Sequence, residues 1–72
     1  MNDWDWVHVE KNGDHWYASI GDNLLAHLTW SPIPRLWLAW EVKGGKDAKL
    51  IDRVWDLALL KRTVEKYFEL KS

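Results

Sequence analysis

Along residues 15–40, HWYASIGDNLLAHLTWSPIPRLWLAW, apolar positions recur with a period of two, interrupted at Gly21-Asp22-Asn23 and at Pro32-Ile33-Pro34. A period of two puts alternate side chains on opposite faces of an extended chain, so the stretch reads as consecutive antiparallel strands. Upstream, WDWVHVE alternates in the same way and runs into Lys11-Asn12-Gly13-Asp14. Asn-Gly between alternating runs predicts a hairpin, because both residues tolerate the positive φ of a type I′ turn. With Asn12-Gly13 as a two-residue loop, Val9 faces Trp16, His8 faces Tyr17 and Trp6 faces Ser19.

Register decides which side chains are hidden, since a slip of one residue turns every side chain of a strand to the other face. A three-residue loop at Gly21-Asp22-Asn23 sets Leu24, Ala26 and Leu28 beside Ile20, Ala18 and Trp16. A three-residue Pro-Ile-Pro loop aligns Leu28 with Leu38 and Ala26 with Trp40, and a five-residue loop gives the same alignment. The predicted core of the sheet is therefore Trp16, Ala18, Ile20, Leu24, Ala26, Leu28, Leu38 and Trp40, with Tyr17, His27 and Trp37 facing outward.

Beyond Gly44-Gly45 the period changes. Leu50, Val54, Leu57, Val64 and Phe68 lie along one stripe at 100° per residue, no Gly or Pro intervenes, and Asp47 is available as an N-cap. Lys61 falls on the same stripe, where its stem can lie along apolar surface. The chain thus reads as a single α+β domain over residues 1–72: a four-stranded antiparallel meander, strands near 4–10, 15–20, 24–30 and 35–43, under one helix near 47–70.

Composition narrows the class. A chain of 72 residues buries only about 60% of its unfolded surface. Seven Trp and no Cys indicate that large aromatics, not disulfides, supply the stability. The missing thiols also point to a reducing, cytoplasmic setting. Residues 1–34 carry a charge of −4 and residues 35–72 a charge of +3, so the net −1 argues against bulk attraction to nucleic acid or anionic lipid. No long apolar run or basic leader is present, and neither a membrane span nor a signal peptide is expected.

An antiparallel sheet under one helix leaves its other face to solvent, and that face is the candidate working surface. The registers above gather Trp6, His8, Tyr17, His27, Trp37 and Glu41 on it. Aromatic residues are also simply good strand formers. A contiguous exposed aromatic surface, however, marks a binding site, so Trp6, Tyr17 and Trp37 are the candidate anchors for a partner, oriented by His8, His27 and Glu41. Trp55 and Leu59 spread beyond the helical stripe and are candidate contacts of a homodimer. No cofactor is expected: His8 and His27 sit two strands apart, about 9–10 Å between backbones, too far to share a zinc ion. No Gly-rich phosphate loop, nucleophile elbow or Cys supports catalysis, so the chain is not expected to be an enzyme.

Two resemblances give the surface a possible occupant. Trp16-Tyr17-Ala18-Ser19-Ile20, Arg35-Leu36-Trp37-Leu38 and a following helix with Ala48 resemble the sheet-reading domains of plant-type transcription factors and phage integrases, which implies nucleic-acid binding. Those domains set several Arg and Lys on the exposed strands, whereas this sheet offers Arg35 and Lys43 against Glu10 and Glu41. The compact sheet-plus-helix plan, with Trp6, Trp16, Trp37 and Trp40 on strands, resembles small phage and mobile-element proteins of the anti-CRISPR type. That resemblance implies stoichiometric binding to a larger host protein or complex, with nucleic-acid binding and a homodimeric structural role as the alternatives.

Overall fold

Positive φ angles at Asn12 (57°), Gly13 (105°), Gly44 (61°) and Gly45 (77°) turn the chain sharply between strands. The computed structural model describes residues 3–71. It contains strands β1 (Trp4–Glu10), β2 (Asp14–Ile20), β3 (Asn23–Pro32), β4 (Arg35–Lys43) and β5 (Lys46–Val54), followed by helix α1 (Leu57–Lys71). The strands form one antiparallel sheet in the order β1-β2-β3-β4-β5. The α+β class and the single C-terminal helix agree with the sequence reading; the strand count is five, not four.

The fifth strand replaces the first part of the predicted helix. Gly44-Gly45 forms a two-residue hairpin loop closed by Lys43 and Lys46, which returns the chain beside β4 instead of releasing it into a helix. The ladder irregularities at Ala39/Trp40 and Glu41/Val42 let KDAKLIDRV pair as a strand although its apolar spacing also fits a helix. Asp47 is accordingly not the N-cap. Asp56 is: its Oδ1 accepts from the Ala58 and Leu59 N–H groups at 3.0 and 3.3 Å, while its carbonyl takes the first helical bond from Leu60 at 3.0 Å.

All three predicted loop lengths differ from those observed, and two of the differences turn a whole strand over. Between β1 and β2, Lys11 also stays outside the ladder, its N–H donating to the Gly13 carbonyl at 3.1 Å, so Glu10 pairs with Asp14 and Trp6 with Ala18. Between β3 and β4, Pro32 remains in the ladder opposite Arg35, leaving Ile33-Pro34 as the loop. A strand end tolerates the missing proline donor. The second hairpin has the predicted register at Trp16/Leu28 and Ala18/Ala26, after which an irregularity closes it on a shorter loop with Ile20 opposite Asn23.

The two slips turn β1 and β4 over. Trp4, Trp6, His8, Trp37, Ala39 and Glu41 share the helix-covered face with Trp16, Ala18, Ala26 and Leu28, whereas Leu38 and Trp40 lie on the opposite face and Leu24 is exposed. Ala18, Ala26 and Ala39 form a floor of small side chains, on which Leu60 and Val64 of α1 are fully buried together with Leu28. Small residues let the helix approach closely, and Trp4, Trp6, Trp16, Trp37, Ile51, Val54, Leu57 and Phe68 fill the margins. Lys61 ends with its Nζ 3.4 Å from the centre of the Trp16 ring and 5.4 Å from that of Trp6. Burial lowers its pKa, while the ring faces and neighbouring Glu65 favour the cation. Trp6 Nε1–H donates to Glu65 at 2.9 Å, whereas Trp4 Nε1 is buried without a partner among the described residues.

The packing distinguishes three substitutions. Leu60→Ala empties a fully buried site and is expected to cost about 2–5 kcal/mol, and Trp37→Ala about 3 kcal/mol. Leu70→Ala, at 79% exposure, should stay within about 0.5 kcal/mol in the same denaturant titration.

Candidate functional site on the uncovered sheet face

The pleat that sends Ala18, Ala26 and Ala39 under the helix sends their neighbours in sequence the other way. Cross-strand pairing then aligns Val7, Tyr17, His27, Trp40 and Leu50 in one row across all five strands of the uncovered face. A second row runs Val9, His15, Thr29, Leu38 and Arg53. Val7 and Leu50 are 49% and 37% exposed at the two edges, and Tyr17, His27, Leu38 and Trp40 between them are half-buried against one another.

The centre of this face is an ordered aromatic stack. Tyr17 and His27 lie parallel, with centroids 4.6 Å apart and planes 2° from parallel. His15 stacks against His27 at 5.1 Å and beside Tyr17 at 6.4 Å. His27 Nδ1–H donates to the Asp47 carboxylate at 3.1 and 3.2 Å. In a neutral imidazole that leaves Nε2 as the acceptor, so His15 Nδ1–H donates to it across 2.9 Å. Asp47, read from the sequence as a helix cap, therefore fixes the ring at the centre of the open face. The face thus combines an apolar rim, a flat aromatic centre and a few oriented polar atoms.

The residues singled out from the sequence divide between the faces. Tyr17 and His27 are on the open face as predicted. Trp6, Trp37 and Glu41 are not: the one-residue slips of β1 and β4 place them under the helix. His8 lies on that side as well, at the sheet margin, stacked on Trp16 with centroids 4.7 Å apart. Trp55 and Leu59 are exposed at 75% and 45%, beside the start of α1. Val7, Trp40, Leu50 and Asp47 were missed as members of the open face. The strand 36–42 alternates in two frames, and the frame containing Leu36, Leu38, Trp40 and Val42 is the greasier one; only the small Ala39 hints that the other frame meets a helix.

Glu41 has a structural role. It is 5% exposed and accepts Tyr67 Oη–H at 3.2 Å and Lys71 Nζ–H at 2.9 Å, tying the last turns of α1 to β4. The Lys71 hydrogen bond holds the Glu41 carboxyl below the ordinary carboxylate value, with Tyr67 and the charges of Lys71 and Lys43 helping and burial opposing; the same contact raises Lys71. Among the described residues, no helix is long and apolar enough to cross a membrane. Compared with protein-family models, curated proteins and solved structures, the chain matches none.

Because the folded-state pKa of Glu41 is depressed, its contribution is present above the ordinary carboxylate value of about 4.3 and is lost as pH falls through the lower folded value. Glu41→Gln should cost about 1–2 kcal/mol at neutral pH, a figure held down by the solvent exposure of Lys71. The gap to the unsubstituted protein should narrow as pH falls below the ordinary carboxylate value, in denaturant titrations run across the acid range.

Proposed function

We propose that the protein is a non-catalytic binding module that captures a protein partner on its uncovered sheet face. The observation that carries this reading is the unbroken Val7-Tyr17-His27-Trp40-Leu50 row, an apolar and aromatic strip crossing every strand without a second layer over it. Solvent faces of small sheets ordinarily alternate to polar residues, and a strip of this kind gains most when a partner removes it from water. Tyr and Trp supply large contact areas at little cost in conformational entropy, and the Asp47-His27-His15 chain holds the polar atoms of the face in fixed directions.

Charge favours a protein over nucleic acid as the partner. Among the described residues, the ladder places Arg53 on this face against Asp5 and Asp47, and three-stranded or single-stranded nucleic-acid readers need clustered cations near their stacking rings. Stoichiometric capture by a rigid aromatic face is also the form of action expected of a phage-type inhibitor that occupies a site on a host complex, and that is the finer reading we propose. A homodimer through Trp55 and Leu59 is the competing use of exposed apolar surface.

Val7→Lys and Leu50→Lys place a charge at either end of the row, on exposed edge positions that leave the core untouched. Each should keep the far-UV signature and thermal midpoint yet weaken partner capture by about thirtyfold or more, the size of a hot-spot loss. Leu70→Lys, on the exposed side of the helix, should capture as the unsubstituted chain does. Capture unaffected by either edge charge, or a doubled mass in solution that Trp55→Ser abolishes, would overturn the assignment.

A further inference from the structure

We propose that His8, Glu10 and Asp14 form a binding site for a divalent transition-metal ion at the end of the first hairpin, on the opposite side of the sheet from the aromatic row. The slip in register builds it. Lys11 leaves the ladder, so Glu10 and Asp14 become the closing pair of the hairpin, directly opposite each other, and His8 lies two residues upstream on the same face. One ligand atom from each of the three side chains can be chosen so that all lie within 4.8 Å of one another. The individual separations include 3.3 Å from His8 Nε2 to Asp14 Oδ1 and 3.9 Å from His8 Nδ1 to Glu10 Oε1.

The two carboxylates flank opposite ring nitrogens, so one ion can use the His8–Asp14 spacing as it stands, while a Glu10 oxygen has to turn toward the same nitrogen. Bonds of about 2.0–2.2 Å to nitrogen and oxygen put neighbouring ligand atoms about 3.0–3.5 Å apart. Closing the set from 4.8 Å to that spacing takes rotamer changes in the exposed Glu10 and half-exposed Asp14 side chains, on a backbone held by the hairpin. One imidazole nitrogen binds and the other stays free. The ring itself is oriented by its stack on Trp16, with planes 16° apart, which is the service an outer shell performs for a ligating histidine.

The electrostatics point the same way. Like charges directly opposite in a ladder are destabilising. Among the described residues, Glu10 and Asp14 are in salt-bridge range of His8, and neither is paired with a Lys or Arg. A divalent ion resolves that opposition. The imidazole makes this a mixed nitrogen and oxygen set and not an acidic patch, which selects zinc, manganese, cobalt, nickel or copper over calcium and magnesium. Three protein ligands leave coordination positions for water or for a group on another molecule.

The other two histidines form no such set. His15 and His27 are hydrogen-bonded to each other, and the second nitrogen of His27 is committed to Asp47. They lie on the face away from His8, so the expectation that His8 and His27 cannot share an ion holds for a stronger reason than strand spacing.

Zinc chloride titrated into the full chain, followed by calorimetry and by the zinc-dependent rise in thermal midpoint, tests the site. One ion per chain should bind. His8→Gln, Glu10→Gln and Asp14→Asn should each weaken binding by at least about tenfold, the least effect expected when even a supporting residue is lost. His15→Gln and His27→Gln should leave it unchanged. Glu10→Gln and Asp14→Asn should fold at least as well as the unsubstituted chain without zinc, because they remove the opposed charges, while losing the zinc-dependent rise. Absence of zinc uptake, uptake that survives His8→Gln with an unchanged constant, or loss of uptake in the His15 or His27 variant would overturn the proposal.

Discussion

A five-stranded sheet is about 19 Å across at the usual strand spacing, and a helix with its side chains is about 10 Å wide. One helix can therefore cover only part of one face. The molecule meets this constraint by lowering the floor where the helix sits and raising the walls around it. Ala18, Ala26 and Ala39 admit Leu60 and Val64 to full burial, and Trp4, Trp6, Trp16 and Trp37 close the space that the helix leaves at the sides. With no disulfide, these large rings are what make a core of this size sufficient.

The covered face also carries polar atoms, and most of them are answered. Glu41 receives Tyr67 and Lys71, Trp6 donates to Glu65, and Lys61 rests on the face of Trp16. These contacts run from Lys61 to the last turn of α1 and hold it in one position over the sheet, a directional complement to burial, which favours contact without fixing orientation. Trp4 Nε1 is the exception, and its ring is kept by its stack with Trp6 and its contact with Phe68.

The same limit on coverage leaves the other face of the sheet uncovered among the described residues. No second layer packs over the Val7-Tyr17-His27-Trp40-Leu50 row, so its rings shield one another only in part. The β5 edge of the sheet is built against pairing with a further strand. β5 is interrupted twice in its pairing and carries Lys46, Lys49 and Arg53, features that discourage strand addition. Chain geometry thus separates three groups of side chains: the packed core on one face, the aromatic row on the other, and His8, Glu10 and Asp14 at the end of a hairpin.

The sequence by itself determined the first four strands, the placement of the hairpins and the presence of a C-terminal helix, because alternation and turn residues act over a few neighbours. It also placed Tyr17 and His27 outward, since the β2–β3 pairing near Trp16 and Leu28 follows from local pattern. The fifth strand was not legible: Leu50 and Val54 continue the helical stripe of Leu57, Val64 and Phe68, and only pairing with β4 through Gly44-Gly45 makes their segment a strand. The faces of β1 and β4 were decided by tertiary structure too. Each depends on whether one loop residue, Lys11 or Pro32, stands inside or outside the ladder, and local propensity barely distinguishes these cases. Helix packing does distinguish them: only one choice for β4 sets Ala39 with Ala18 and Ala26 beneath Leu60 and Val64, and only one for β1 sets Trp4 and Trp6 against that core.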